Sequence, residues 1–203
     1  YNAQTGFYEL NGLTDITEEQ MRDIYVQTQH ATRQTDLTAV FANTPSIRTN
    51  YSLKVIGGYK SIDCHAAFAG DVNIEVIAFA VNSVFYASRV HYLFQNCKKL
   101  RTVLGVLRCD YVSQETAYIN MFYQCFELVT VNLRGVKFDI SFINCPKISL
   151  ASLKFLIDSS SNISAITVTV HADVYAKIQD ESQADWHALI AAAQEKTITF
   201  ATA

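Results

Sequence analysis

The 203-residue chain is half hydrophobic and 17% charged, with a net charge of −3 and a pI near 5.9. This composition excludes an intrinsically disordered chain, and the weak negative charge excludes a basic field inviting nucleic acid or anionic lipid. No apolar run approaches the roughly 18 residues needed to cross a bilayer; the longest, Val76-Ile-Ala-Phe-Ala-Val81, is strand-sized.

Tyr1 in place of an initiator Met points to a removed segment that would carry the targeting address. The first predicted element follows Thr17-Glu-Glu-Gln20, a capping box in which the Thr17 hydroxyl and the Gln20 amide satisfy helix donors reciprocally. Ile16 and Met21 sit at the positions of a hydrophobic staple, and Glu18 and Glu19 suit the positive end of a helix dipole. The pattern predicts a helix over 17–31, with Met21, Ile24, Tyr25 and Thr28 along one side. Residues 1–37 then read as an N-terminal cap over the first apolar edge of a repeat array.

From 38 to 148 one phrase recurs five times: Phe, one residue, a small or polar pair, two residues, then Ile or Leu. Its copies are Phe41–Ile47, Phe68–Ile74, Phe94–Leu100, Phe122–Leu128 and Phe142–Ile148, with Phe anchors 27, 26, 28 and 20 residues apart. Self-similarity at this period marks stacked coils, none of which can bury its apolar face alone. A β-rich stretch follows each of the first four phrases, at 52–56, 76–81, 102–107 and 129–133. Leu128, Val131 and Leu133 form an L-x-x-L-x-L line, and Ile74, Ile77 and Phe79 repeat it. Gly105 interrupts it in the third copy, where an apolar residue is expected. The fold class is therefore α/β: a degenerate leucine-rich repeat solenoid of short parallel strands with an irregular or helical convex side.

Inside such an array the Phe rings should form a continuous stack. Three of five cysteines, Cys97, Cys125 and Cys145, hold one phrase position and should form a buried column of structural thiols. His65 and His91 each precede their Phe by three residues and should sit one above the other. A metal site there needs further ligands, and no recurring carboxylate supplies them; a solvent-facing or core-edge role is favoured. No nucleophile elbow, paired carboxylates or glycine-rich phosphate loop occurs, so the reading is non-enzymatic, without cofactor or metal. The candidate site is instead the set of strand positions between the inward apolar ones: Val76, Ala78, Thr102, Leu104, Thr130, Asn132 and Arg134, lining an extended concave face.

Residues 149–203 change pattern and read as an α/β cap. Ser149 caps a helix through about Asp158, carrying Leu150, Leu153, Leu156 and Ile157 on one face. Ile166–Val170 alternates as a strand, Ala172–Ile178 is a short helix, Ser182–Lys196 a second, and Thr197–Ala201 a last strand.

The phrase as it stands at Phe94-Gln-Asn-Cys-Lys-Lys-Leu100 and Phe142-Ile-Asn-Cys-Pro-Lys-Ile148 resembles the BspA-like (Treponema pallidum type) leucine-rich repeats. Asn11–Ile16 and Lys196–Ala203 are similar to segments of Bacteroides proteins of this kind, including prophage-encoded ones. The family's repeat is shorter than the first three spacings here, which implies extra turns or bulged loops on the convex side. The resemblance implies an extracellular or cell-surface adhesion module that binds a protein or glycan, with no catalytic residues to carry over. Its alternative is a structural tip or tail-associated domain of a phage or prophage protein.

Overall fold

A computed structural model describes residues 22–28, 35–43, 51–57, 62–79, 85–114, 118–160 and 165–202. The molecule is a mixed α/β protein in which parallel strands form a curled, half-barrel sheet, and among the described residues three helices gather toward the C-terminal end of the chain. The large sheet comprises β1 (Arg22–Thr28), β2 (Thr35–Asp36), β3 (Tyr51–Gly57), β4 (Ile62–Asp63), β5 (Val76–Phe79), β6 (Phe85–Arg89), β7 (Thr102–Arg108) and β8 (Thr130–Arg134). Its order is β1-β3-β5-β7-β6-β4-β2, with β8 added on β7, and every pairing is parallel. The path runs out along the odd-numbered strands and returns along the even ones. The turning point is β7: Thr102–Leu104 pair with β5, whereas Leu107 and Arg108 pair with Phe85 and Tyr86 of β6, respectively.

The phrase makes this stacking periodic. In its second copy Asp71 N–H donates to the Phe68 carbonyl, in the third Cys97 to Phe94, in the fourth Cys125 to Phe122. The third residue of each turn, Gly70, Asn96 or Gln124, has φ of 77°, 62° or 60°. A β-turn with positive φ at its third position favours Gly or Asn. That is why the small or polar pair recurs after Phe. Other N–H groups reach across copies: Ala39 to His65 O (2.9 Å), Ala66 to His91 O (3.0 Å), and Tyr92 to Ile119 O (3.0 Å). The Phe amides do the same, from Phe41 to Ala67 O, Phe68 to Leu93 O, and Phe94 to Met121 O. Each copy thus satisfies part of its backbone internally and part on its neighbour.

The side chains follow the same order. Phe41, Phe68, Phe94, Phe122 and Phe142 stack as expected, with centroids 5.1, 5.9, 5.7 and 5.0 Å apart and rings within 18° of parallel. The inward strand residues Ile77, Phe79, Val103, Leu107, Val131 and Leu133 are buried against them. All five cysteines are buried thiols. Cys97 Sγ donates to Phe68 O at 3.1 Å and Cys125 Sγ to Phe94 O at 3.0 Å, one copy back in each case. Asp71 holds the equivalent place in the second copy, fully buried.

One expected element is corrected. Residues 22–28 within the predicted 17–31 helix form strand β1, paired along its whole length with β3 from Arg22↔Tyr51 to Thr28↔Gly57. The capping box and residues 29–31 lie outside the described residues. The segment Ile24-Tyr-Val-Gln-Thr28 is rich in β-branched and aromatic residues, which suit a pleated surface better than a helix. The neighbouring strand supplies a complete ladder, and that tertiary pairing outweighs a local cap signal worth about 1 kcal/mol.

The C-terminal unit matches its sequence pattern closely. It contains β9 (Ile140–Phe142), α1 (Leu150–Ser159), β10 (Ile166–Val170), α2 (Ala172–Gln179), α3 (Ala184–Glu195) and β11 (Ile198–Ala201). The strands form a parallel sheet in the order β11-β10-β9. The fifth phrase behaves differently from the others, because Ile140–Phe142 has become β9 and pairs with β10. Helix α1, capped by the Ser149 side chain on Ser152 N, covers the edge of β8. Its serines replace the missing strand: Val131 N–H donates to Ser152 Oγ at 3.0 Å and Ser159 Oγ donates to Leu133 O at 3.0 Å. An open sheet edge is closed by side-chain hydroxyls.

Candidate functional site

The seven strand positions read from sequence all lie on the side of the large sheet opposite the core. Along β5, β7 and β8 they alternate with the buried residues, as a period of two requires. Parallel pairing puts Val76, Thr102 and Thr130 in one row across three strands and Ala78 beside Leu104 in the next. Leu104 is 45% exposed, which is high for a leucine in the middle of a sheet. Asn132 lies opposite the irregularity in β7. Four positions separate Val103 from Leu107, but two separate their partners Val131 and Leu133. Arg134, exposed, closes the set beside Arg108.

Sequence reasoning missed the group at this end of the face. Arg108 Nη1 donates to Tyr86 Oη at 2.9 Å while its guanidinium lies 4.5 Å from the Tyr86 ring centroid. Its Nε donates to Asp110 Oδ2 at 2.8 Å. That bond, ahead of any other influence, raises the Arg108 pKa above its ordinary value. Tyr111, about half exposed, meets Tyr86 edge-on at 5.1 Å. The signal was present in the alternation of β7, since Arg108 follows the inward Leu107; the bulge at Gly105 hid it.

The two histidines are brought together. The His65 and His91 rings stack 3.7 Å apart at 27°, and Tyr92 packs edge-on to His91 at 5.3 Å. Asp63 accepts from Arg89 Nη1 at 3.1 Å and from the His65 backbone N–H at 3.1 Å, and Arg89 Nη2 approaches His91 Nε2 at 3.4 Å. Desolvation first, then His65 and Arg89, lower the His91 pKa to about 4; Asp63 opposes them. His91 is therefore neutral at pH 7. No group of three or more His, Cys, Asp or Glu side chains is placed to hold a metal among the described residues.

This pair makes a pH prediction. Relative to an unfolded histidine near 6.5, a folded pKa near 4 means that the unfolded chain takes up the proton first. The stability from the neutral stack is full above about pH 6.5 and is lost as the pH falls to about 4. Urea midpoints measured from pH 7 to 4 should fall more steeply for the parent than for His91→Gln. Equal slopes would remove His91 from the account.

Four of the five cysteines are far from reactive as thiols. Burial pushes Cys109 and Cys125 up to about 12, and burial likewise raises Cys97 and Cys145 well above the ordinary thiol range.

No protein-family model matches the chain, and neither a curated protein nor a solved structure matches it.

Proposed function

We propose that this chain is a leucine-rich repeat solenoid of the BspA-like type, acting as a non-enzymatic recognition module at the cell surface or outside the cell. Its partner is a protein or a glycan, held on the outward face of the large sheet. The observation that carries this reading is the composition of that face in register. Val76, Ala78 and Leu104 make an apolar end, and Tyr86, Arg108, Tyr111 and Arg134 make an aromatic and cationic end. Tyrosine and arginine dominate the energetics of protein interfaces because each combines a large apolar surface with hydrogen-bonding reach. Arg108 is already oriented by Asp110 and Tyr86, so a partner's carboxylate would meet a fixed guanidinium. That arrangement favours a protein with an acidic rim around an apolar contact.

The test is a screen of the purified chain on arrays of extracellular proteins and glycans, repeated with Leu104→Glu and Arg134→Glu. A partner whose affinity falls at least about tenfold with each variant supports the reading, as expected for truncating interface anchors. Silence on both arrays, or a partner insensitive to both variants, overturns it.

A further inference from the structure

We propose a second binding site, for a single neutral sugar residue, in the cleft between the fourth and fifth copies of the phrase. The cleft exists because the repeat changes there. Copies one to four are joined by backbone bonds from the residue two before each Phe, and no equivalent bond joins Asn120 to the fifth copy among the described residues. The last spacing shrinks to 20 residues, and Ile140–Phe142 turns to pair with β10. The Phe122 and Phe142 rings remain in contact, and the segments that precede them, 118–120 and 139–141, line a cavity of about 400 Å³. That size falls within the range of small-ligand sites.

Its walls have the chemistry of a polyol site. Tyr118, Ile119 and Asn120 line one side; Asp139, Ser141 and Thr169 line the other. Ser141 and Thr169 are register partners on adjacent strands, so their hydroxyls stand side by side on one sheet face. Asp139 Oδ1 accepts from Thr167 N–H at 2.6 Å, which fixes the carboxylate and leaves Oδ2 to accept from a ligand hydroxyl. Asn120, at φ 51°, offers an amide that both donates and accepts. No cationic side chain lines the cleft, so phosphorylated or acidic ligands are not matched. Ile119, 45% exposed, provides an apolar edge for the C–H face of a sugar ring. A neutral ring carrying adjacent hydroxyls uses all of these groups at once.

The site is separate from the outward face of the large sheet, and its test separates the two readings. The isotope-labelled full chain is titrated with glucose, galactose, mannose and N-acetylglucosamine while backbone amide signals are followed. At least one sugar should shift the amides of Asn120, Ser141 and Thr169. Asp139→Asn keeps the acceptor for Thr167 N–H but removes the charged oxygen, and should weaken binding about tenfold. Thr169→Val, equal in shape, should weaken it about fivefold, whereas Leu104→Glu should leave it unchanged. No response to any of the four sugars, shifts confined to other residues, or unchanged affinity in both cleft variants overturns the proposal.

Discussion

Replacing Phe94 with alanine is expected to lower the unfolding free energy by about 3–5 kcal/mol. The ring is fully buried in the middle of the stack, 5.9 Å from Phe68 and 5.7 Å from Phe122, so its removal leaves a void bounded by rings on both sides. Neighbouring rings are held by their own backbone turns and cannot collapse into that space. Two aromatic contacts disappear with the ring, each worth about 0.5–1.5 kcal/mol beyond burial. Phe94→Leu keeps much of the volume and should cost less. Urea denaturation of both variants measures the difference, and a loss below about 1 kcal/mol for Phe94→Ala would show that the stack does not bear the core.

The second large effect comes from adding a single methyl group. Gly105 has φ 81°, and a Cβ built there would stand 2.0 Å from the carbonyl oxygen of Phe79 in the adjoining strand. Left-handed geometry alone costs a non-glycine residue about 1–2 kcal/mol. The contact is with backbone, so relief requires β5 and β7 to separate, adding about 1–3 kcal/mol as overpacking does. Gly105→Ala should therefore lose about 2–5 kcal/mol by urea denaturation. A variant within about 0.5 kcal/mol of the parent would mean that the bulge relaxes freely.

These two positions also show what could be read from the chain in advance. The Phe anchors, the thiol column and the inward line Leu128, Val131, Leu133 were legible because each obeys a period, and the period survives unequal spacing. His65 and His91 were placed together by the same rule. The strand at 22–28 was not legible, because its partner lies about thirty residues away and a local capping signal competed with it. The fate of the fifth phrase was equally hidden. Phe142 keeps its place in the ring stack while its backbone joins β10, a pairing that depends on an alternating segment beyond α1. The outward face was legible at Val76, Ala78, Thr102, Leu104, Thr130, Asn132 and Arg134 through strand alternation. Its aromatic end was not, since Tyr86 reaches Arg108 only because β7 passes from one row of strands to the other at Gly105.

Unequal distances between anchors leave the rings evenly spaced: 27, 26 and 28 residues of chain separate centroids that differ by less than 1 Å. Length is thus absorbed between phrases, while each of the first three phrases presents the same backbone donors to the copy that follows it. Excising residues 69–94 would set Gln95 directly after Phe68 and let the second copy meet the fourth with equivalent backbone groups. The run of the first four copies is divisible into whole units. Gain or loss of one copy would shift the outward face by one strand row and leave the stacking rule intact, so the reach of the face can change without redesign of the interior.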